Sequence, residues 1–253
     1  MTERQVGTNP VAHLAGQPHP LNLCFPTASG DGLLKLWDLK TLVCLRDFRG
    51  HTSAVYSCAL SASGELAVSG ALDGTVKVWR VGSGEELCSF TMSDGLLAVM
   101  TVSFSPDGAR ILAGSADKTA VIWDLASSDN DAEFAGEVAG TLAGHRLAIN
   151  AAVFSFDGES VVTGSSDTTV KIWRLATFKD MKTLTGHKAA VMAVDVTRDG
   201  SLVCSASQDH TVRVWSAQSA KARAPRPRRA PRAAAHRRRA LAAGGDRARA
   251  SHR

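Results

Sequence analysis

The sequence predicts an all-β chain built as a stack of small antiparallel sheets, and three observations predict it. The five tryptophans, Trp37, Trp79, Trp123, Trp173 and Trp215, follow one another at intervals of 42, 44, 50 and 42 residues. Each has an aspartate six residues before it: Asp31, Asp73, Asp117, Asp167 and Asp209. Between these marks apolar residues alternate with period two, as in "TVKVW", "TVKIW" and "TVRVW", β-branched runs bounded by turns. A unit of about 40 residues cannot bury both faces of its own sheet, so neighbouring units must cover it.

The first unit has Thr27, Asp31 and Trp37, with Asn9 where other units carry a histidine. Its "AGQPHPLN" stretch replaces an Asp-Gly turn with two prolines, so its two innermost strands are not expected to be regular. Residues 1–20 are read as an N-terminal segment that is partly a first strand, and residues 21–216 as the repeats. The second unit is complete: a Gly-His places His51 28 residues before Trp79, with Ser69 and Asp73 between them. In the third, "TMSDGLLAV" stands in place of Gly-His and Ala113 takes the hydroxyl position. The fourth carries His145, Thr163, Asp167 and Trp173, and the fifth carries His187, Ser205, Asp209 and Trp215. "SFSPDGARIL" and "FSFDGESVV" set Asp-Gly turns between apolar runs, the mark of a meander. The second, fourth and fifth units are expected to be the stiffest.

After Trp37, Trp79 and Trp173 an outer strand carries apolar residues at offsets of 8 and 11: Leu45 and Phe48, Leu87 and Phe90, Met181 and Leu184. After Trp215 the same offsets give Arg223 and Arg226, so the fifth unit is expected to lose its fourth strand. Composition changes at the same place. Residues 1–216 hold 17 Lys and Arg against 23 Asp and Glu, a net of −6, whereas residues 217–253 hold 12 basic residues against Asp246 alone, a net of +11. This Ala/Arg/Pro-rich segment is expected to be disordered. Two readings of it stay open: a genuine basic arm for RNA, ribonucleoprotein or acidic partners, or a sequence accident such as a retained intron or shifted frame. No aromatic residue interleaves its arginines, so a base-stacking platform is not expected.

The five cysteines are odd in number, dispersed and never in a C-x-x-C pair, which points to a reducing compartment rather than a disulfide framework. The chain has no run of about 18 apolar residues and no apolar leader after a basic start. It is read as intracellular, cytoplasmic or nuclear, without membrane insertion.

The Gly-His, the Asp-Gly-Thr-like turn and the endings "LWD", "VWR" and "IWD" resemble WD40 repeats over roughly residues 20–216. The resemblance implies a WD40 β-propeller, here with five recognisable blades, each unit spanning the outer strand of one blade and the inner three of the next around a central channel. WD40 propellers are commonly seven-bladed, so the expectation is either a strained small ring or an incomplete part of a larger propeller. The resemblance also implies that His51, Ser69, Asp73 and Trp79, and the matching sets of the fourth and fifth units, form structural relays. In these the indole meets the hydroxyl, the hydroxyl the imidazole, and the imidazole the carboxylate.

The competing chemistry is a hydrolase triad, which uses the same three residue types in hydrogen-bonded order. Three copies, each with its tryptophan, argue against one active site. "LAGSADKT" lacks the second glycine of a phosphate loop and falls in a strand–turn–strand. Asp129, Asp131, Glu133 and Glu137 sit in the insertion that lengthens the third interval, without the pattern of a calcium loop. No catalytic residue, metal or cofactor is expected. The resemblance implies a scaffold that binds other proteins or peptides through its loops, with Thr52, Tyr56, Arg146, Asn150 and Lys188 as candidate contacts near the turn after each Gly-His. Two alternatives remain: nucleic-acid or ribonucleoprotein association through the basic segment, and a ubiquitin-ligase substrate receptor. The second is suggested by "WDLK", Trp37–Lys40, which resembles a WDxR box with lysine in place of arginine.

Overall fold

The computed structural model describes residues 24–92, 97–127, 134–217 and 222–223. These residues form five antiparallel sheets in which every strand pairs with its neighbour in sequence, and they contain no helix. The first sheet has β1 (Cys24–Ala28), β2 (Leu34–Asp38) and β3 (Cys44–Phe48). The second has β4 (Val55–Leu60), β5 (Leu66–Ala71), β6 (Thr75–Arg80) and β7 (Glu86–Thr91). The third has β8 (Val99–Phe104), β9 (Arg110–Ser115), β10 (Thr119–Ser127) and β11 (Phe134–Ala143). The fourth has β12 (Ile149–Phe154), β13 (Ser160–Ser165), β14 (Val170–Arg174) and β15 (Lys179–Leu184). The fifth has β16 (Val191–Val196), β17 (Leu202–Ser207), β18 (Val212–Ser216) and β19 (Ala222–Arg223).

Turn chemistry fixes the strand ends. At the β8–β9 turn the Ser105 hydroxyl donates to Asp107 Oδ1 at 2.5 Å and accepts from Arg110 N at 2.9 Å, while Gly108 takes φ 74°. Ser155 with Asp157, and Thr197 with Asp199, repeat the arrangement in the next two sheets. The 50-residue interval is explained by length: β10 and β11 run to 9 and 10 residues and extend the third sheet outwards as a longer hairpin.

Sheets stack in chain order through unlike faces. Val68, Val76, Val78 and Met92 of the second sheet pack on Val99, Val102, Ile111, Ala113 and Trp123 of the third. The same pattern joins Leu34, Leu36 and Phe48 to Ala67, Trp79 and Val81, and the last two interfaces follow it. Each tryptophan from Trp79 onwards is therefore buried against the sheet before its own. An indole removes roughly 150–250 Å² from water, about 4–6 kcal/mol of transfer free energy before the entropy of ordering is charged against it. Close approach relies on glycine: a Cβ on Gly70 would lie 2.5 Å from Val99 Cγ1, and one on Gly164 would lie 2.7 Å from Val191 Cγ1. The innermost strands β4, β8, β12 and β16 contact one another in succession, and β1 contacts β4. Among the described residues no comparable packing joins the first sheet to the fifth, so the five form an open arc.

Two expectations need correction. The second strand of the first unit does form: β1 pairs with β2 from Cys24↔Asp38 to Ala28↔Leu34, with Pro26 opposite Leu36. β1 is an edge strand among the described residues, and an edge tolerates a proline whose missing N–H is not needed by the neighbour. The fifth sheet also keeps a fourth strand, with Val214↔Arg223 and Trp215↔Ala222 in register among the described residues. Backbone pairing needs no apolar side chain, so the arginine at offset 8 does not abolish the strand. Residues 1–20 and the rest of the basic segment lie outside the described residues, as do Asp129, Asp131 and Glu133.

Candidate functional site

In the second sheet the Trp79 indole N–H donates to Ser69 Oγ at 2.8 Å, and that oxygen lies 2.7 Å from His51 Nε2. His51 Nδ1 lies 3.1 Å from Asp73 Oδ2. The fourth sheet repeats this with Trp173 to Thr163 at 2.8 Å, Thr163 to His145 Nε2 at 2.7 Å and His145 Nδ1 to Asp167 Oδ2 at 2.9 Å. The fifth gives 2.8, 2.8 and 2.9 Å for Trp215–Ser205, Ser205–His187 and His187–Asp209.

Donor logic fixes the protons. An ionised carboxylate can only accept, so Nδ1 carries the proton of the neutral imidazole; Nε2 is then bare and accepts from the hydroxyl, which itself accepts from the indole N–H. Burial holds the His51 and His145 imidazoles below their usual range, and the favourable bonds to Asp73 and Asp167 do not reverse this. Burial pushes the Asp73 carboxyl up, but hydrogen bonds from the Thr75 hydroxyl, the Thr52 and Thr75 backbone N–H groups and His51 outweigh it and bring it to about 2. Asp167 is likewise held at about 2, burial being outweighed by Thr169, the Arg146 backbone and His145. Asp209 is also held low, first by the Thr211 hydroxyl. Each hydroxyl oxygen is buried, with its proton and a lone pair engaged, so it is not presented to a substrate as a triad serine is.

The other two sheets depart from this plan. Trp37 donates to Thr27 Oγ1 at 2.8 Å in the first, while Asp31 accepts from Leu33 N at 3.1 Å; Asn9 lies outside the described residues. In the third, Ala113 supplies no hydroxyl and Phe90 stacks on Trp123 with centroids 5.2 Å apart. Asp117 still closes its turn, accepting from Thr119 N at 2.8 Å and the Thr119 hydroxyl at 2.6 Å.

The relays sit at one end of the sheets and organise a rim there. The Asp carboxylates accept from the backbone N–H of Thr52, Arg146 and Lys188, each at 2.9 Å, leaving those three side chains exposed. Turn and loop are tied by Leu72 N to Ala54 O at 2.8 Å, and by equivalent 2.9 Å bonds from Ala116, Ser166 and Gln208. Each innermost strand bulges at its start, between Val55/Ser57, Val99/Thr101, Ile149/Ala151 and Val191/Ala193. The extra residues are Tyr56, Met100, Asn150 and Met192, and a bulge re-aims the side chain it carries. Asn150 uses this to clamp the next sheet, donating to Val191 O at 2.8 Å and Ser166 Oγ at 2.9 Å. Exposed Leu72, Leu97, Leu147 and Met192 share the rim with Arg146 and Lys188.

Sequence reasoning named Tyr56 and Asn150 but missed Met100, Met192 and the three leucines. The signal was present: inward-facing Val99 and Val102, and Val191 and Val194, are spaced by three rather than two, the trace a bulge leaves in a strand. At Trp37–Lys40 the Asp38 carboxylate accepts from Lys40 N at 2.9 Å and Thr41 N at 2.6 Å, closing the β2–β3 turn. The described cysteines are free, and burial pushes the Cys58 and Cys88 thiols up to about 12. Among the described residues no cluster of metal-ligating side chains occurs, and no helix is long and apolar enough to cross a membrane.

Comparison with known proteins agrees with this architecture. A family profile described as WD domain, G-beta repeat matches residues 42–80, 85–124, 136–174 and 178–216, more than half of the chain. MST50-interacting protein 11 of Pyricularia oryzae is 30% identical over 122 residues, 48% of this chain and 37% of its own length. Small ribosomal subunit protein RACK1 of Neurospora crassa is 31% identical over 108 residues, 43% of this chain and 33% of its own. Pre-mRNA-processing factor 19 of Bos taurus is 30% identical over 118 residues, 47% of this chain and 23% of its own. The matches thus take in well under half of each of these relatives.

Proposed function

The chain belongs to the WD40 family, and from that premise we propose that it is a non-catalytic scaffold that holds other proteins or peptides against the relay-bearing rim. The observation that carries this reading is the pairing of exposed Leu72, Leu97, Leu147 and Met192 with strands held by buried relays at the same end. Apolar side chains on a rigid frame lose little entropy when a partner covers them, and the flanking Arg146, Lys188 and Thr52 supply polar contacts around them. The relays serve as internal fastenings in this reading.

The test is affinity capture from cells with the wild type, Leu147→Asp and Glu159→Lys, the last lying in the β12–β13 turn at the opposite end. Proteins that Leu147→Asp loses and Glu159→Lys keeps are rim partners. Identical captured sets from all three would remove the rim from the account.

A ribonucleoprotein setting is the second reading. It is favoured by the names of relatives, a pre-mRNA-processing factor, a small ribosomal subunit protein and a translation initiation factor 3 subunit, and by the eleven arginines of residues 217–253. Those names also fit an intracellular setting, cytoplasmic or nuclear. Deleting residues 218–253 should abolish salt-sensitive RNA binding if that segment carries it, while undiminished binding assigns the RNA contact elsewhere.

A further inference from the structure

Every interior interface of the arc joins a front face, such as the one bearing Val68, Val76 and Val78, to a back face that presents a tryptophan. Among the described residues, five sheets give four such interfaces and leave one front and one back uncovered.

The uncovered front belongs to the fifth sheet. The register position filled by Val76, Ala120 and Val170, all at 0% exposure, holds Val212 there at 60%. Cys204 is exposed at the position of buried Val68, Leu112 and Val162, and Val214 is half-buried at that of Val78. A groove of about 400 Å³ opens on this face beside the β16–β17 turn, lined by Leu202, Cys204 and Val214 together with residues 195–198, of which Asp195 and Arg198 are charged. The uncovered back belongs to the first sheet. Leu39, two residues after Trp37, is 46% exposed, against 3% for Val81 and 5% for Leu175 at the same offset. Trp37 and Phe25 are half-buried, where Trp79 and Ala67 are fully covered.

Over the strands they share, the two uncovered faces correspond to the two halves of the interface that the described sheets make four times; the first sheet offers its back through β1 and β2, with no described counterpart of β8, β12 or β16. We propose that a second copy of this chain docks head to tail, the fifth sheet of one copy seating on the first sheet of the next. The fit is one the chain has demonstrated: a β-branched front accepts an indole-bearing back, and Ala206 at the place of Gly70 repeats Ala28 in the first sheet, whose front is covered. Such an interface is heterologous, so copies add to a ring or an open filament rather than stopping at a twofold dimer.

Sedimentation velocity of the full chain under reducing conditions, across a concentration series, tests this with Val212→Glu and Leu39→Glu. Both residues are exposed, so the variants are expected to keep their sheets, which circular dichroism checks. The wild type is expected to gain mass with concentration. Each variant alone is expected to associate roughly tenfold or more weakly, because a charge is placed in the contact. An equimolar mixture should form a dimer and nothing larger, since the intact front of Leu39→Glu meets the intact back of Val212→Glu. A wild type that stays monomeric at every concentration overturns the proposal. So does association that both variants leave unchanged, or a mixture that fails to recover the dimer.

Discussion

At the residue scale, the imidazoles of His51 and His145 make stability depend on acid in a defined order. Their protonation is disfavoured in the fold relative to the ordinary value of 6.5, so the unfolded chain takes up protons first and stability falls as pH drops below that value. Asp73 and Asp167, held at about 2 against 3.8, contribute stability above 3.8 that is lost as pH falls towards 2. A series of urea midpoints should be flat just above neutrality, decline above the ordinary thiol value of 9.0 because Cys58 and Cys88 stay protonated in the fold, decline below pH 6.5 and decline again below 3.8; a midpoint that rises between 6.5 and 4 would show charged imidazoles in the fold. A second residue-scale effect lies in the Asp turns. Gly74 has φ 75°, but Thr168 occupies the same place at φ 71°, where a β-branched side chain is strained by roughly 1–2 kcal/mol. Thr168→Gly should stabilise by a few tenths to about 1 kcal/mol once the flexibility it adds to the unfolded chain is subtracted. Loss of stability in urea would show that the threonine hydroxyl or methyl has a compensating role.

At the element scale, packing in the second, third and fourth sheets depends on the glycine of the second strand, Gly70, Gly114 and Gly164. Gly164→Ala puts a methyl within 2.7 Å of Val191 Cγ1 and 2.8 Å of Val194 Cγ1, so the fourth and fifth sheets must separate. A loss of about 1–3 kcal/mol in urea unfolding is expected, and unchanged stability would mean that the interface has slack. The elements were legible to different degrees, for physical reasons. Repeated Trp, Asp and Gly-His spacing located the strands because each mark has one geometric role in every unit. β1 was underestimated because an Asp-Gly turn was required in front of it, whereas its pairing with β2 holds it without one. β19 was missed because an apolar outer strand was required of residues that pair by backbone alone. The four bulges at Tyr56, Met100, Asn150 and Met192 were hidden because a period-two reading treats a spacing of three as noise.

At the scale of the whole molecule, the arc separates rigidity from recognition. Buried relays and indoles lie between and within sheets, while the exposed apolar side chains of the proposed partner rim occupy loops and bulges at the relay end. Leu147 is exposed and contributes little to packing, so its loss should be tolerated by the fold; Ser69 is buried between an indole N–H and an imidazole nitrogen, so its loss leaves both unpaired. The spatial grouping of the relay residues was legible through the WD40 resemblance that their offsets carry, but the apolar rim was not, because single exposed leucines in loops look like any surface residue until the sheets bring them together.

The central claim is that the histidine, hydroxyl, carboxylate and indole sets hold the sheets together rather than perform chemistry. Its most direct test is the equilibrium urea unfolding of Ser69→Ala beside Leu147→Asp. The hydroxyl deletion is predicted to cost about 1–3 kcal/mol, and the rim substitution to leave stability within about 0.5 kcal/mol of the wild type. A Ser69→Ala protein that unfolds with the wild type while losing a hydrolytic activity would contradict the account.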